Sequence, residues 1–156
     1  MTGNRTVWNG RVEQKWVDYN GHMNDAAYAA VFSRALDAML EDAGLTARFI
    51  EQEHYTVFTL ETHLMYLAEA HQNQPLAVSV VILDQDAKRL HLWFEMQNEQ
   101  NETIATSEQM IMGMDQAAGR PAPFPETLQQ GLASLPVLTL ENWPVKAGRS
   151  IGIKRK

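Results

Sequence analysis

Residues 17–28, VDYNGHMNDAAY, join a strand pattern to a long apolar helix pattern, and this junction decides how the chain is organised. The preceding residues, 6–17, alternate as a first β-strand does, although imperfectly, and Gly10 is a candidate bulge. The junction itself concentrates a carboxylate, an imidazole, amides and a glycine. Because the first N–H groups of a helix have no partner within the helix, a turn of this composition predicts a site for an anion or an oxyanion.

The helix is predicted over residues 25–43 from one apolar stripe at helical spacing. The stripe consists of Tyr28, Val31, Phe32, Ala35, Leu36, Met39 and Leu40. Asn24 or Asp25 can cap the start of the helix, and Gly44 stands where a glycine commonly follows a helix end. Much of the opposite side carries alanines instead of charges, which predicts that other elements approach the helix closely on more than one side.

The period then changes to that of strands. Residues 45–53 are a connector, for which a short helical turn is the alternative. Strands are predicted over residues 55–67, 76–83, 89–97 and 102–114, with turns at 84–88 and 98–101. Residues 119–125 should break the sheet before a short helix at 126–135. This order predicts an α+β fold, in which a five-stranded antiparallel sheet wraps round one long central helix. A homodimer or a dimer of dimers would close the open edges of that sheet.

Composition removes several classes of function. The 156 residues predict a single domain, and a net charge of -6 disfavours nucleic acid as a partner. There is no cysteine, so disulfides, thiolate zinc sites and cysteine nucleophiles are excluded. No apolar run suits a membrane span or a signal peptide, so we expect a cytoplasmic protein without a membrane partner. The histidine spacing fits no metal motif, no serine-hydrolase motif or phosphate loop occurs, and we expect neither metal nor cofactor.

The junction resembles a known family. Asp18, Gly21, His22, Asn24 and Tyr28 follow the pattern D-x-x-G-H-x-N-x-x-x-Y directly before the central helix. This pattern and the order of elements resemble the hotdog-fold acyl-CoA thioesterases of the 4-hydroxybenzoyl-CoA thioesterase type. The resemblance covers residues 6–130 and leaves 131–156 as a C-terminal extension of one domain, residues 1–156. The run from residue 119 to 125 weakly resembles the segment after the last strand in this family.

Three stretches are similar to a narrower group. Residues 17–23, 31–40 and 60–69 look like the thioesterases of bacterial carnitine breakdown, which act on betainyl-CoA and are sometimes fused to carnitine dehydrogenase. The resemblance implies hydrolysis of a short acyl-CoA thioester, with betaine and CoA as products. No Gly-x-Gly-x-x-Gly occurs, so no dehydrogenase domain is expected here. The alternative is a non-catalytic hotdog module that binds an acyl-CoA or a protein, and a hotdog dehydratase ranks last.

The resemblance also implies roles for residues. Asp18 would attack the thioester carbonyl or activate a water, while N–H groups of residues 24–26 hold the oxyanion. The candidate catalytic residues are Asp18, His22 and Asn24. The candidate substrate-binding residues are Gly21, Asp25 and Tyr28, together with Glu61 and His63, which share one face of the second predicted strand. The substrate would be an acyl-CoA.

Each of these residues also has a structural role as an alternative to a functional one. Asp18 before Asn20 is also typical of a plain turn, and Tyr28 suits the core because it begins the apolar stripe. By default, Glu61 with His63, and equally Glu69 with His71, are solvated or structural pairs. A betainyl group would need an aromatic cage, for which the sequence offers Trp16, Tyr19, Tyr55, Phe58, Tyr66 and Trp93. Candidates for the CoA phosphates are Arg120, Lys88 and Arg89.

Overall fold

The computed structural model describes residues 3–156, so the first two positions of the predicted domain lie outside the described residues. One long helix, α1, runs from Asp25–Asp42 and packs into a curled antiparallel sheet. The strands are β1 Arg5–Arg11, β2 Tyr55–Tyr66, β3 Pro75–Gln85, β4 Arg89–Gln97, β5 Thr103–Asp115 and β6 Arg120–Pro121. Two short helices are α2, Ala47–Glu53, and α3, Glu126–Leu132. No helix in the described part of the chain is long and apolar enough to cross a membrane.

The prediction for α1 is confirmed almost to the residue. All seven side chains of the apolar stripe are buried, none more than 6% exposed. The Asn24 side chain caps the start of the helix by accepting from the Ala26 N–H at 2.9 Å. Gly44 follows the end of α1 at φ +110°, a left-handed conformation that favours glycine. The predicted α+β hotdog architecture is therefore present, with α1 at its centre.

The strand order differs from the expected run of neighbours. The sheet order is β1-β3-β4-β5-β2, with every neighbouring pair antiparallel, so β2 pairs with β5 and not with β3. Residues 67–74 carry the chain from one side of the sheet to the other. This segment hydrogen-bonds to the junction before α1, where Met23 N–H donates to the Ala70 carbonyl at 2.8 Å. Because residues 67–74 bond to this junction on their way to the other edge of the sheet, no tight hairpin joins β2 to β3.

The first strand is shorter than predicted. It ends at Arg11, which pairs with Pro75, the first residue of β3. Beyond it, Val12 bonds to the turn before β3, donating to the Gln74 carbonyl at 3.0 Å and accepting from the Asn73 N–H at 2.8 Å. The chain then forms a single 3₁₀ turn, Gln14–Trp16, and buries the Trp16 side chain. The bulge lies between Thr6 and Trp8 and not at Gly10. Gly10 instead gives space to the Trp8 ring, which a Cβ at that position would overlap.

Residues 119–125 do not break the sheet completely, because β6 pairs with Met114 and Asp115 of β5. Gly119 makes this return possible at φ +66°, and its N–H donates to the Asp115 carbonyl at 2.8 Å. The other differences are small shifts of element ends: β3 continues to Gln85, and α3 stops at Leu132, three residues before the predicted end.

The C-terminal extension covers part of the outer face of the sheet. Its backbone bonds to β3, since the Ile82 N–H donates to the Pro136 carbonyl at 2.9 Å. It forms a second apolar cluster, which consists of Val81, Leu83 and Trp93 with Leu138, Trp143 and Ala147 against them. The Glu108 carboxylate, largely buried, lies 2.6 Å from His91 Nε2 and accepts from the Gly148 N–H at 2.8 Å. The extension is thus anchored by both apolar packing and hydrogen bonds.

Candidate active site

The turn before α1 holds the Asp18 carboxylate by one of its two oxygens. Oδ1 accepts from the N–H of Asn20 at 2.8 Å and of His22 at 3.2 Å. The backbone closes the turn, since the Gly21 N–H donates to the Asp18 carbonyl at 3.0 Å. Gly21 adopts φ +79°, which costs glycine nothing and other residues about 1–2 kcal/mol. Oδ2 of Asp18 accepts no hydrogen bond within residues 3–156 and is free to act on a substrate.

A second segment, residues 67–71, lies beside this turn. His22 pairs with His71 in an isolated β-bridge, and their rings meet edge to face at 5.1 Å. His22 Nε2 lies 3.1 Å from Glu69 Oε2. Because Glu69 is two-thirds exposed, this contact orients the imidazole more than it stabilises the fold.

The N–H groups at the start of α1 are not all available. Ala26 donates its N–H to the capping Asn24 side chain and also lies 2.9 Å from Asp25 Oδ1. The Asn24 N–H donates to the Trp16 carbonyl at 2.8 Å. Of the three N–H groups expected at the oxyanion, only that of Asp25 has no acceptor in the described part of the chain. The predicted oxyanion site therefore narrows to this one backbone donor.

An open cleft of about 440 Å³ lies between the turn, the start of α1 and the end of β2. Its lining consists of Asp18, Asn20, His22, Met23, Asp25, Tyr28, Tyr66, Leu67, Ala68 and Glu69. Three of these residues are acidic and none is Lys or Arg. Within residues 3–156, no Lys or Arg nitrogen lies within 4.0 Å of the three carboxylates. The cleft thus combines apolar walls with uncompensated negative charge.

Two tyrosines form one wall of the cleft. The Tyr66 hydroxyl donates to the Asp25 carbonyl and the Tyr28 hydroxyl to the Ala68 carbonyl, both at 3.3 Å. Their rings are nearly perpendicular at 5.3 Å. Burial raises the pKa of Tyr28, and the Glu69 carboxylate adds to the shift. Burial also raises the pKa of Tyr66, with a contribution from Asp25. Both phenols therefore remain neutral donors near neutral pH, with Tyr66 half exposed and Tyr28 buried behind it.

The structure brings only part of the predicted site together. Asp18, His22, Asp25 and Tyr28 all line the cleft. Asn24 and Gly21 do not line it: Asn24 caps the helix and Gly21 shapes the turn.

Glu61 and His63 lie elsewhere in the chain. They alternate along β2 with Thr62 and Leu64, which line a different cleft beside α1. Side chains alternate between the two faces of a strand, so Glu61 and His63 point away from the helix. Within one chain, Glu61 and His63 do not line the cleft that contains Asp18, so they are not part of the site formed there.

This second cleft, of about 470 Å³, lies between α1 and β2. Its lining consists of Ala29, Phe32, Ser33, Leu36, Thr59, Thr62, Leu64, Ser107 and Gln109. Ser107 and Gln109 are buried and bonded to each other at 3.0 Å. Leu64 lines this cleft and Tyr66, the next residue on the same face of β2, lines the Asp18 cleft. The two clefts are therefore neighbours along α1 and β2.

Sequence reasoning did not assign Tyr66, Leu67 or Glu69 to the site. Tyr66 was one of six candidate aromatics, and Glu69 was interpreted as half of a solvated pair with His71. Their place follows from the contact between residues 67–71 and the junction, which is about 45 residues away in sequence. The available signal was the resemblance of residues 60–69, which end at Glu69, to known thioesterases.

Known proteins resemble this chain over most of its length. The profile of the thioesterase-like superfamily matches residues 12–132. The betainyl-CoA thioesterase of Pseudomonas aeruginosa is 35% identical over 156 residues, with 95% of this chain and 94% of that protein covered. The L-carnitine dehydrogenase/betainyl-CoA thioesterase of Rhizobium meliloti is 34% identical over 93% of this chain. The chain spans only 29% of the length of that larger relative.

A solved structure supports the fold over its whole length. A Staphylococcus aureus protein in complex with CoA superposes with a TM-score of 0.88 and 32% identity, covering 99% of both chains. The superposition therefore includes the C-terminal extension, which lies beyond the residues that the family profile matches. The chain therefore belongs to the thioesterase-like superfamily and has the predicted hotdog fold.

Proposed function

We propose that this chain hydrolyses an acyl-CoA thioester in the cleft beside Asp18. One observation carries the proposal: a carboxylate fixed by Oδ1, with Oδ2 free, shares a cleft with the N-terminus of α1. The unpaired N–H of Asp25 and the positive end of the helix dipole suit an oxyanion. The nucleophile, Asp18, and the oxyanion donor, the Asp25 N–H, thus belong to residues that line the same cleft.

Two routes lead from this arrangement to the products. In the first, Oδ2 of Asp18 attacks the carbonyl carbon, the C–S bond breaks and the CoA thiolate leaves, which gives a mixed anhydride between the acyl group and Asp18. Water then hydrolyses this anhydride, and the Asp18 carboxylate is regenerated. In the second, Asp18 takes a proton from a water, which attacks the carbonyl carbon and expels the CoA thiolate. Both give a carboxylic acid and CoA, and both need the same carboxylate and the same oxyanion donor. The backbone N–H of His22 holds Oδ1 of Asp18 on either route.

We infer that the acyl group is betainyl, with betaine and CoA as products, as expected in carnitine breakdown. The support is the naming of relatives about 35% identical over most of this chain, together with the negative charge of the cleft. The CoA complex of the Staphylococcus aureus protein supports CoA as the carrier. The neighbouring cleft between α1 and β2 offers a path for an elongated thioester arm. A substrate of this kind fits a cytoplasmic enzyme.

We also propose a homodimer or a dimer of dimers. The twelve-residue strand β2 pairs with β5 on one side and has no strand partner on the other within residues 3–156. Phe58 and Leu60 on this strand are each 51% exposed, which is unusual for an edge facing water. A second copy paired along β2 would bury these side chains and add an outer wall to the cleft between α1 and β2.

A panel of CoA thioesters tests the function. Betainyl-, acetyl-, butyryl- and 4-hydroxybenzoyl-CoA are offered, and free thiol is followed with a thiol reagent. We expect the highest kcat/KM for betainyl-CoA. Saturable binding of every thioester without thiol release would replace hydrolysis by a binding function. Release at equal rates from all four would remove the betainyl assignment and leave a general thioesterase.

A further inference from the structure

We propose that Tyr66, Glu69 and Asp25 form a subsite for a quaternary ammonium group, and that this subsite selects the acyl chain. The inference rests on the proposed hydrolysis of betainyl-CoA and names the residues that would recognise the cation. It starts from the cleft itself, which has acidic groups on its rim and an exposed aromatic ring in its wall.

The chemistry of the acyl group fixes where the subsite lies. In a betainyl thioester a single methylene separates the carbonyl carbon from the nitrogen, so these atoms are about 2.5 Å apart by ordinary bond lengths. A carbonyl carbon within reach of Asp18 therefore places the cation in the same cleft. Tyr66 and Glu69 line that cleft together with Asp18. Of the six aromatics that the sequence offers for a cage, Tyr66 is the one that lines this cleft.

The aromatic part of the subsite is Tyr66. Its ring is 49% exposed, while Tyr28 packs perpendicular to it from behind at 5.3 Å. The Tyr66 hydroxyl is bonded to the Asp25 carbonyl, which holds the ring in one orientation. A fixed aromatic ring attracts a cation through its quadrupole, and a quaternary ammonium suits it because this ion forms no hydrogen bonds.

The charged part is the pair of carboxylates. Asp25 meets no Lys or Arg within 4.0 Å in the described chain, and Glu69 meets only His22. Negative charge without a fixed counterion favours a cationic acyl group and repels an anionic one. The CoA phosphates, which are anionic, must lie outside this cleft.

The test compares two thioesters of the same shape. In 3,3-dimethylbutanoyl-CoA a neutral carbon replaces the nitrogen of betainyl-CoA, so the ratio of their kcat/KM values reports recognition of the charge. The proteins are the wild type, Glu69→Gln, Tyr66→Leu and Tyr66→Phe, and Glu51→Gln on α2 removes an exposed carboxylate elsewhere. Thermal unfolding of each protein reports correct folding.

We expect the wild type to favour betainyl-CoA by about tenfold or more, since cation–π and charge contacts together reach that size. Glu69→Gln and Tyr66→Leu should each lower this ratio several-fold, while Tyr66→Phe, which keeps the ring, and Glu51→Gln retain it. Equal losses on both thioesters in Glu69→Gln and Tyr66→Leu would overturn the subsite, because Glu69 would then act only through His22 and Tyr66 only through packing. An unselective wild type that cleaves both thioesters also overturns it, whereas a wild type that cleaves neither overturns the proposed hydrolysis instead.

Discussion

The two ends of α1 are built in opposite ways. At the N-terminal end, Asn24 caps the helix, an open cleft faces the first turn, and three carboxylates lie without a Lys or Arg partner in the described chain. At the C-terminal end, Gly44 stops the helix and α3 packs directly on Ala43, where Gly131 leaves no space for a Cβ. One end is open and charged, and the other is closed and tightly packed.

The contrast between the two ends of α1 shows that the fold tolerates unfavourable charge repulsion at the N-terminal end of this helix. Neighbouring carboxylates repel one another, and here the positive end of α1, the N–H groups that Asp18 accepts and the His22 imidazole beside Glu69 offset that repulsion. The closed end has no such conflict and contributes stability through packing. A substitution at the open end should therefore change the reaction, and one at the closed end should change the stability.

The largest effect is expected at the open end. Asp18→Asn keeps the size of the side chain and removes its charge, so we expect kcat to fall by about 10²–10⁴-fold. Oδ1 bonds the backbone of the turn, and the amide oxygen of asparagine can accept the same two N–H groups. The melting temperature should change little. Thiol release and thermal unfolding measured on one preparation check both statements, and full activity in this variant would remove Asp18 from the reaction.

A substitution at the closed end of α1 should lower the free energy of unfolding. In Gly131→Ala the new methyl group would overlap the Ala43 backbone, which cannot move without shifting α1. We expect a loss of about 3 kcal/mol in the free energy of unfolding, at the upper end for overpacking, with kcat/KM retained where the protein is folded. Gly152→Ala is the matched control, because no atom lies within 4 Å of that position. Equal unfolding midpoints of the two variants in urea would contradict the close packing.

Tyr55 belongs to the closed end and makes it sensitive to alkali. Its hydroxyl donates to the Ala122 carbonyl at 3.1 Å, just before α3, and burial raises the pKa of Tyr55 to about 12. The unfolded chain loses this proton near pH 10, so the stabilisation is complete below pH 10 and is lost as the pH rises to 12. Two pKa units correspond to about 3 kcal/mol. Urea unfolding of Tyr55→Phe should show a shallower fall in stability across this pH window than the wild type, with a constant difference between the two proteins at pH 7–9.

Local patterns in the sequence predicted the local parts of the fold. The apolar stripe of α1 and the limits of β4 match the structure because period and turn chemistry act over a few residues. The pairing of β2 with β5 was not predicted, because it depends on the hydrogen bonds between residues 67–74 and the junction before α1, which are distant in sequence. The end of β1 depends in the same way on where its partner β3 begins.

The candidate site likewise has a part that is local in sequence, which was predicted, and a part that depends on distant contacts, which was not. Asp18 and the helix start were predicted because they are close in sequence and share a recognisable motif. Tyr66 and Glu69 were not assigned, because they reach the site only through the crossing segment. Glu61 and His63 were candidates because they share one face of a strand, and the alternation of β2 turns that face away from the helix. Sequence therefore predicted the half of the cleft that is continuous in the chain.

The smallest effect separates the two roles of Asn24, as helix cap and as part of the open end. Asn24→Ala removes the acceptor of the Ala26 N–H and should cost about 1 kcal/mol of stability. Thr46→Ala removes a comparable cap from α2, where the Thr46 hydroxyl accepts from the Phe49 N–H at 3.1 Å, and should cost a similar amount. Only Asn24→Ala should also lower kcat/KM, by a few-fold, because the Asp25 N–H beside it would lose its fixed direction. Equal activity of the two variants would mean that the cap stabilises α1 without positioning the oxyanion donor, which would leave Asp18 as the one group that distinguishes the open end in catalysis.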